Sequence, residues 1–376
     1  PRVRSRRRVP RWVLDGLIVV PHSSHARLTL KTRAAVTSVA VFLLVGVVVD
    51  QRNHPAGPSR MDPRIAIDPF ELQQRIAGRS NVDLAAIWRS LGLSSRLDTV
   101  DARRDPAHAT GAPQFTRCHV ECVAEITRDN IDADPAQELI LKICEPYGFC
   151  RFLFFKARGG APSSWAILGH ADHDFARQAL PSYTVKTFGE KRFFVMTAEG
   201  TSGTGVSLDY ARWFETTPTG VREVLTLPEH GYAMLSSRSV GRRFRTDVSS
   251  YESDADGDRF DIAFTVDYIG DNALVDPAAS AQIPLFTRAR RAVYARARSE
   301  LPFTLDISRS TITPSEIDSV FVPDEIGCSN FLQINMSDLV PLAGRASTPA
   351  ADWLRRYATD CRASDARTTL LRILNR

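Results

Sequence analysis

The residues best suited to chemistry are the acids and amides of Asn130-x-Asp132-x-Asp134-x-x-x-Glu138. Alternate side chains of a short loop can turn several oxygens toward one point. Calcium, a hard cation, takes six to eight such oxygens. Asn130, Asp132, Asp134 and Glu138 are therefore a candidate calcium site, with a solvated hairpin turn as the plainer alternative. A second set, Asp254, Asp256, Asp258 and Asp261, surrounds Gly257 in a similar pattern. A third cluster, His170-Ala-Asp-His-Asp174, brings two imidazoles and two carboxylates into five residues. Those residue types ligate transition metals, and an exported hydrolase could use them with or without a metal. No HExxH and no third ligand group accompanies the cluster, so a polar surface loop is the simpler expectation.

Other chemistries find less support. Gly200 to Gly205 is rich in glycine, but a phosphate loop needs a helix whose first N–H groups face the anion. The segment that follows, Val206-Ser-Leu-Asp-Tyr-Ala-Arg-Trp, reads as a strand. Neither a Gly-x-Ser-x-Gly elbow nor a Cys-x-x-Cys motif occurs. Glu121 and Glu125 on one extended strand would stand roughly 13 Å apart, too far to act as a carboxylate pair. Trp213 beside Tyr210 could line a carbohydrate or peptide surface, so an unknown protein or glycan is the expected ligand.

The acidic run followed by Leu139-Ile-Leu resembles the Asp-rich loop of integrin-like FG-GAP and VCBS propeller repeats. Asp254-x-Asp256-Gly257-Asp258-x-x-Asp261-Ile is similar. The resemblance covers roughly ten residues twice, and no blade-length period links the two. The first loop has Ala133 and Pro135 where those families favour Gly, and the second is one residue short of their final acid. The resemblance implies structural calcium in a propeller-like adhesion domain that binds and does not catalyse.

All six cysteines follow the apolar N-terminal stretch, and an even number in an oxidising compartment reads as disulfides. Cys144 and Cys150 bracket a five-residue turn and could face each other across a hairpin. Cys118 and Cys122 on one strand would sit about 13 Å apart, too far to bridge. They could pair only if Cys-His-Val-Glu-Cys is a turn. Trp353, Tyr357 and Cys361 recur at helical spacing, so Cys361 should point inward. Cys328, expected on a loop before Phe331, is its most plausible partner.

These residues need elements to hold them. Cys118 to Ile126 alternates as a half-buried strand. Leu139 to Cys144 and Cys150 to Lys156 continue as two more, making a three-stranded antiparallel meander with an acidic loop. Further strands are expected at Ser164–Leu168, Ser182–Phe188, Arg192–Ala198, Val206–Phe214, Gly220–Leu227, Phe244–Tyr251, Phe260–Ile269 and Leu285–Arg298. No long helices interleave them, so a parallel α/β fold is unsuited. The expected class is mainly β, built of antiparallel meander sheets as a sandwich or propeller-like array, with short N-terminal helices and a C-terminal helical segment. The expected parts are a helical segment at 67–92, an antiparallel β domain at 115–306 and a C-terminal helical cap at 313–376.

At 43% hydrophobic and 24% charged, the composition is that of a globular chain and argues against wholesale disorder. Charge is unevenly placed. Residues 1–60 hold 11 basic and 2 acidic residues, which leaves 37 against 41 for the remainder. The body is mildly acidic, so no nucleic-acid partner is expected. Residues 1–33 form a basic leader, of which 1–26 could be upstream translation, because the first Met is Met61. Ala34–Val49 runs 16 residues without a charge behind Arg27, Lys31 and Arg33. This is the layout of a signal peptide or membrane anchor, followed by a linker at 50–66. A helix of that length spans only about 24 Å at ~1.5 Å per residue. The chain is thus expected outside the cytoplasm, periplasmic or extracellular, as a binding or structural module of the cell envelope. If residues 34–49 stay uncleaved, they would anchor it to the inner membrane.

Overall fold

The computed structural model describes residues 68–376 except 98–112, 133, 147, 159–163, 175–179, 204–205, 219, 235–239, 255–256, 272–281, 300, 315–316, 318–326 and 346–347. The basic leader, the apolar segment 34–49 and the linker 50–66 lie outside the described residues. Among those described, no helix is long and apolar enough to cross a membrane.

The chain is mainly β, with two antiparallel sheets of four and eight strands, short N-terminal helices and C-terminal helices. It enters through α1 (Pro69–Ile76) and α2 (Leu84–Ser90). Asp68 caps α1 by accepting the Phe70 N–H at 2.8 Å, and Pro69 stands in its first turn. Proline has no N–H to leave unpaired there. Asp83 caps α2 through the Ala86 N–H at 3.0 Å. Leu72, Ile76, Leu84, Ile87 and Trp88 are buried against Leu139, Leu141, Ile143, Leu153 and Phe155.

Those last residues belong to the four-stranded sheet, whose order is β1 (Val123–Asp129), β2 (Glu138–Cys144), β3 (Phe149–Ala157) and β4 (Trp165–Asp174). Successive side chains of a strand point to opposite faces. The odd positions 139, 141 and 143 therefore meet the helices. Ile140, Cys144, Phe152 and Phe154 face the larger sheet. The first strand starts later than the alternation suggests. Cys118 to Cys122 is a turn closed by a disulfide, with the two Cα atoms 5.6 Å apart, and pairing begins at Val123. Cys144 pairs with Cys150 in the β2–β3 register, and a second disulfide joins them at a Cα separation of 4.1 Å.

The eight-stranded sheet runs in chain order through β5 (Ser182–Phe188), β6 (Lys191–Gly203), β7 (Val206–Thr217), β8 (Gly220–Met234), β9 (Val240–Asp254), β10 (Gly257–Asp271), β11 (Gln282–Arg296) and β12 (Thr304–Leu305). It is one continuous sheet instead of a set of four-stranded blades. It curls on itself. Phe188 of β5 and Phe260 of β10 lie five strands apart, about 24 Å in a flat sheet at ~4.8 Å per strand. Their ring centroids are 5.9 Å apart. Strand twist accumulates across the sheet, and register shifts after Glu199, Asp209, Trp213, Asp261 and Tyr268 add bends. Phe193, Trp213, Tyr251, Phe260 and Phe303 fill the inside of the curl. The neighbouring Phe194 points the other way, onto Phe152 and Phe154 of the four-stranded sheet, at 5.5 and 4.8 Å between centroids.

Among the described residues, the C-terminal part holds α3 (Cys328–Ile334), α4 (Met336–Ala343), α5 (Pro349–Asp360) and α6 (Asp365–Leu374). Trp353, Tyr357 and Cys361 are all buried, as their spacing predicts. Trp353 Nε1 donates to the Asp271 carbonyl at 3.1 Å, joining α5 to β10. Cys328 is the first residue of α3, not part of a loop, and forms the third disulfide with Cys361 across a Cα distance of 5.5 Å.

Candidate metal centre

The β1–β2 connection turns tightly because its own side chains replace the missing strand partners. Asp132 Oδ1 accepts the Asp134 N–H at 2.9 Å, and Asp134 Oδ1 accepts the Ala136 N–H at 2.7 Å. Asn130 Nδ2 donates to the Asp134 carbonyl at 2.6 Å. Such Asx turns suit short polar side chains. Ile131, 1% exposed, pins the loop to the core between the sheets. Glu138 opens β2 with its side chain fully buried, and its Oε2 accepts the Ile131 N–H at 3.0 Å. Arg192 of β6 donates to the Asn130 carbonyl at 3.3 Å and ties the loop to the larger sheet.

The turn uses one oxygen of each carboxylate and leaves the others to converge. Ligand atoms of Asp132, Asp134 and Glu138 lie within 4.8 Å of one another. Lys156, near the end of β3, enters this space. Its Nζ is 2.6 Å from Asp132 Oδ2, bonded to Asp134 Oδ2, and 3.7 Å from Glu138 Oε1. Burial works against the ammonium charge, but the bonds to Asp132 and Asp134 outweigh it and raise the Lys156 pKa above its ordinary value. The Lys156 hydrogen bond holds Asp134 below the usual carboxylate range. Burial pushes Glu138 up, and the charges of Asp132 and Asp134 add to the rise.

Two buried oxygens of this loop, Glu138 Oε1 and Asn130 Oδ1, have no hydrogen-bond partner among the described residues. Such atoms are rare in folded proteins because losing water without replacement costs free energy. Three carboxylates and a free amide oxygen are the hard donors that calcium takes, with carbonyls or water completing the shell. The cluster can hold a metal ion.

The chain matches no protein-family model, and no curated protein is similar to it.

The second acidic hairpin is arranged differently. Asp254 pairs with Arg259 Nη1 at 2.8 Å. Asp258 accepts from Ser253 at 2.6 Å and from Arg296 Nε at 2.8 Å. Asp261 pairs with Arg291, Nε to Oδ1 at 2.7 Å. Asp258 and Asp261 stand three apart on β10, so strand alternation sends them to opposite faces. Asp256 lies outside the described residues. Each described carboxylate has its own guanidinium or hydroxyl partner, and the three are not brought together.

His170 to Asp174 is the second half of β4 and not the polar loop its composition suggests. The Ser164–Leu168 strand runs on through it because Ala171, Asp172 and His173 are buried. Asp172 is held by Arg151 at two points, Nε to Oδ1 and Nη2 to Oδ2, each 2.7 Å, with both side chains fully buried. Arg151 also donates to the Ser94 carbonyl at 2.7 Å and lies 4.8 Å over the Trp88 ring. Arg212 of β7 bonds the Asp172 carbonyl and Glu223 of β8. His170 Nε2 is 3.7 Å from Asp172 Oδ2. Asp172 thus neutralises a buried arginine, and proton transfer by it would break that pair. Gly200 and Gly203 lie within β6, and Val206 opens β7, a strand and not a helix.

Lys156 is the member of this cluster that the acidic pattern alone passes over, yet a signal for it existed. Antiparallel partners keep a constant index sum. Cys144 opposite Cys150 therefore sets Leu139 opposite Phe155, and the same sum carried one residue beyond that pair matches Glu138 with Lys156.

Proposed function

We propose that this chain is an exported, disulfide-braced β module of the cell envelope whose β1–β2 loop takes up calcium, and that it acts by binding or as a structural element instead of by turnover. The observation that carries this reading is the convergence of Asp132, Asp134 and Glu138 beside two buried oxygens that lack hydrogen bonds. The resemblance of Asn130–Glu138 to the calcium loops of FG-GAP and VCBS repeats supports the choice of ion. Three disulfides fit an oxidising, extracytoplasmic compartment, and the signal-like segment at 34–49 supports export to the periplasm or beyond. An unknown protein or glycan is the ligand class such a module would take.

The test is a thermal melt of the oxidised chain with calcium and with chelator, repeated for Asp132→Ala/Asp134→Ala. An ion that binds only the native state raises the melting temperature. Calcium sites of extracellular modules have dissociation constants of about 10⁻⁴–10⁻³ M, so the rise is expected at millimolar calcium and should vanish in the double variant. No rise, or a rise that survives the double substitution, rejects the loop as a calcium site.

A further inference from the structure

We infer that Lys156 and a divalent cation compete for one seat between Asp132, Asp134 and Glu138, so that calcium enters by expelling the ammonium. This inference rests on the calcium reading of the loop and adds the device that controls it. Calcium lies about 2.3–2.6 Å from its oxygens. Lys156 Nζ already stands 2.6 Å from Asp132 Oδ2 and in contact with Asp134 Oδ2. An ion bound to the same two oxygens would have to occupy nearly the same point. Two cations in one partly desolvated seat repel strongly, and one must leave.

The seat is suited to the exchange. Glu138 is fully buried and one of its oxygens carries no hydrogen bond. At 3.7 Å the ammonium is too distant to supply one. The ammonium therefore fills the charge of the seat without satisfying all of its oxygens, which a multidentate cation would do. Asp134 is 39% exposed and Lys156 31%, so the seat opens to solvent on their side. A lysine on a flexible four-carbon stem can swing into water with its charge intact.

The test compares calcium binding by the oxidised wild-type chain with Lys156→Gln and Lys156→Arg, by titration calorimetry with CaCl2 at constant ionic strength. Removing the competing charge should tighten calcium binding about tenfold or more, whereas Lys156→Arg should bind no better than wild type. Binding by Lys156→Gln alone overturns the exchange, with Lys156 then the permanent cation of the native seat. Wild-type binding that Lys156→Gln leaves unchanged overturns the competition alone. Absence of binding in wild type and in folded Lys156→Gln overturns the calcium reading and the competition with it. Should Lys156→Gln fail to fold, amine labelling of the wild type decides. Calcium should increase modification of Lys156 against the exposed Lys186 and Lys191, and an unchanged ratio overturns the inference.

Discussion

Glu215 of β7 and Arg296 of β11 form a two-point ion pair across the inside of the eight-stranded sheet, with Oε1 to Nη1 at 3.0 Å and Oε2 to Nη2 at 2.8 Å. They stand four strand spacings apart, about 19 Å in a flat sheet at ~4.8 Å per strand. The same guanidinium also reaches Asp258 of β10 and lies 4.3 Å over the Phe303 ring. The pair therefore exists only because the sheet curls, and it fastens the curl at that end.

Replacing Arg296 should be the most damaging change at this pair. Arg296→Met would leave Glu215 and Asp258 buried beside fewer positive charges. Breaking a buried pair from one side typically costs about 3–5 kcal/mol. A urea midpoint lowered accordingly is expected. A loss under about 1 kcal/mol would mean that the network contributes little to the fold.

Acid should weaken the same region. Burial pushes Asp258 up, but Ser253 and Arg296 prevail and hold it below the usual carboxylate range. Its folded pKa is thus depressed, so its contribution is present above the unfolded value of about 3.9 and is lost as pH falls through the folded pKa. Tyr251, pushed up to about 12 by burial first and by Asp258 next, stays a neutral phenol throughout that window. Melts between pH 5 and 2 should show a decline, and Asp258→Asn should make its slope shallower. Equal slopes in the two proteins would rule Asp258 out as its source.

The disulfides should differ in worth. In the chain-entropy picture a bridge stabilises more as its loop lengthens. Cys328–Cys361 spans a sequence separation of 33 and Cys118–Cys122 one of only 4. Removing the first by paired serine substitutions should cost about 4 kcal/mol and removing the second about 2 kcal/mol. The losses are read from denaturant midpoints, and the reverse order would show that local strain or packing governs the bridges instead.

The docking of α5 depends on Gly270. A Cβ there would lie 2.6 Å from the Trp353 ring, and that ring is fully buried. Gly270→Ala should therefore displace the tryptophan at a cost of about 1–3 kcal/mol, the usual range for overpacking. Tryptophan fluorescence should shift to the red with no loss of β signal. An unaltered spectrum and midpoint would mean that α5 can move aside freely.

Much of this was legible in the chain. Alternation and turn spacing define most strands, because a half-buried strand writes its two faces into neighbouring residues. Trp353, Tyr357 and Cys361 announce a buried helical face for the same local reason. The β2–β3 hairpin follows from Cys144 and Cys150, and the acidic loop from alternate Asx residues. Local pattern fails where another force sets the backbone. Cys118-His-Val-Glu-Cys122 alternates like a strand, but its disulfide requires a turn. His170-Ala-Asp-His-Asp174 looks solvated, yet β4 carries it into the seam between sheets, where Arg151 compensates Asp172.

The sequence by itself determined the β class, the helical ends, the inward-facing Cys361 and the place of the acidic loop, because each depends on residues read through a local period or a single hairpin. Tertiary structure alone decided that Phe188 meets Phe260, that Glu215 meets Arg296, and that Asp258 and Asp261 part company. Those outcomes depend on twist and bulges summed over several strands, and no short window of residues carries that sum. Lys156 beside Asp132 lies between the two cases: hairpin register brings the lysine to Glu138, and only the folding of the loop back over β3 brings the other two carboxylates to it.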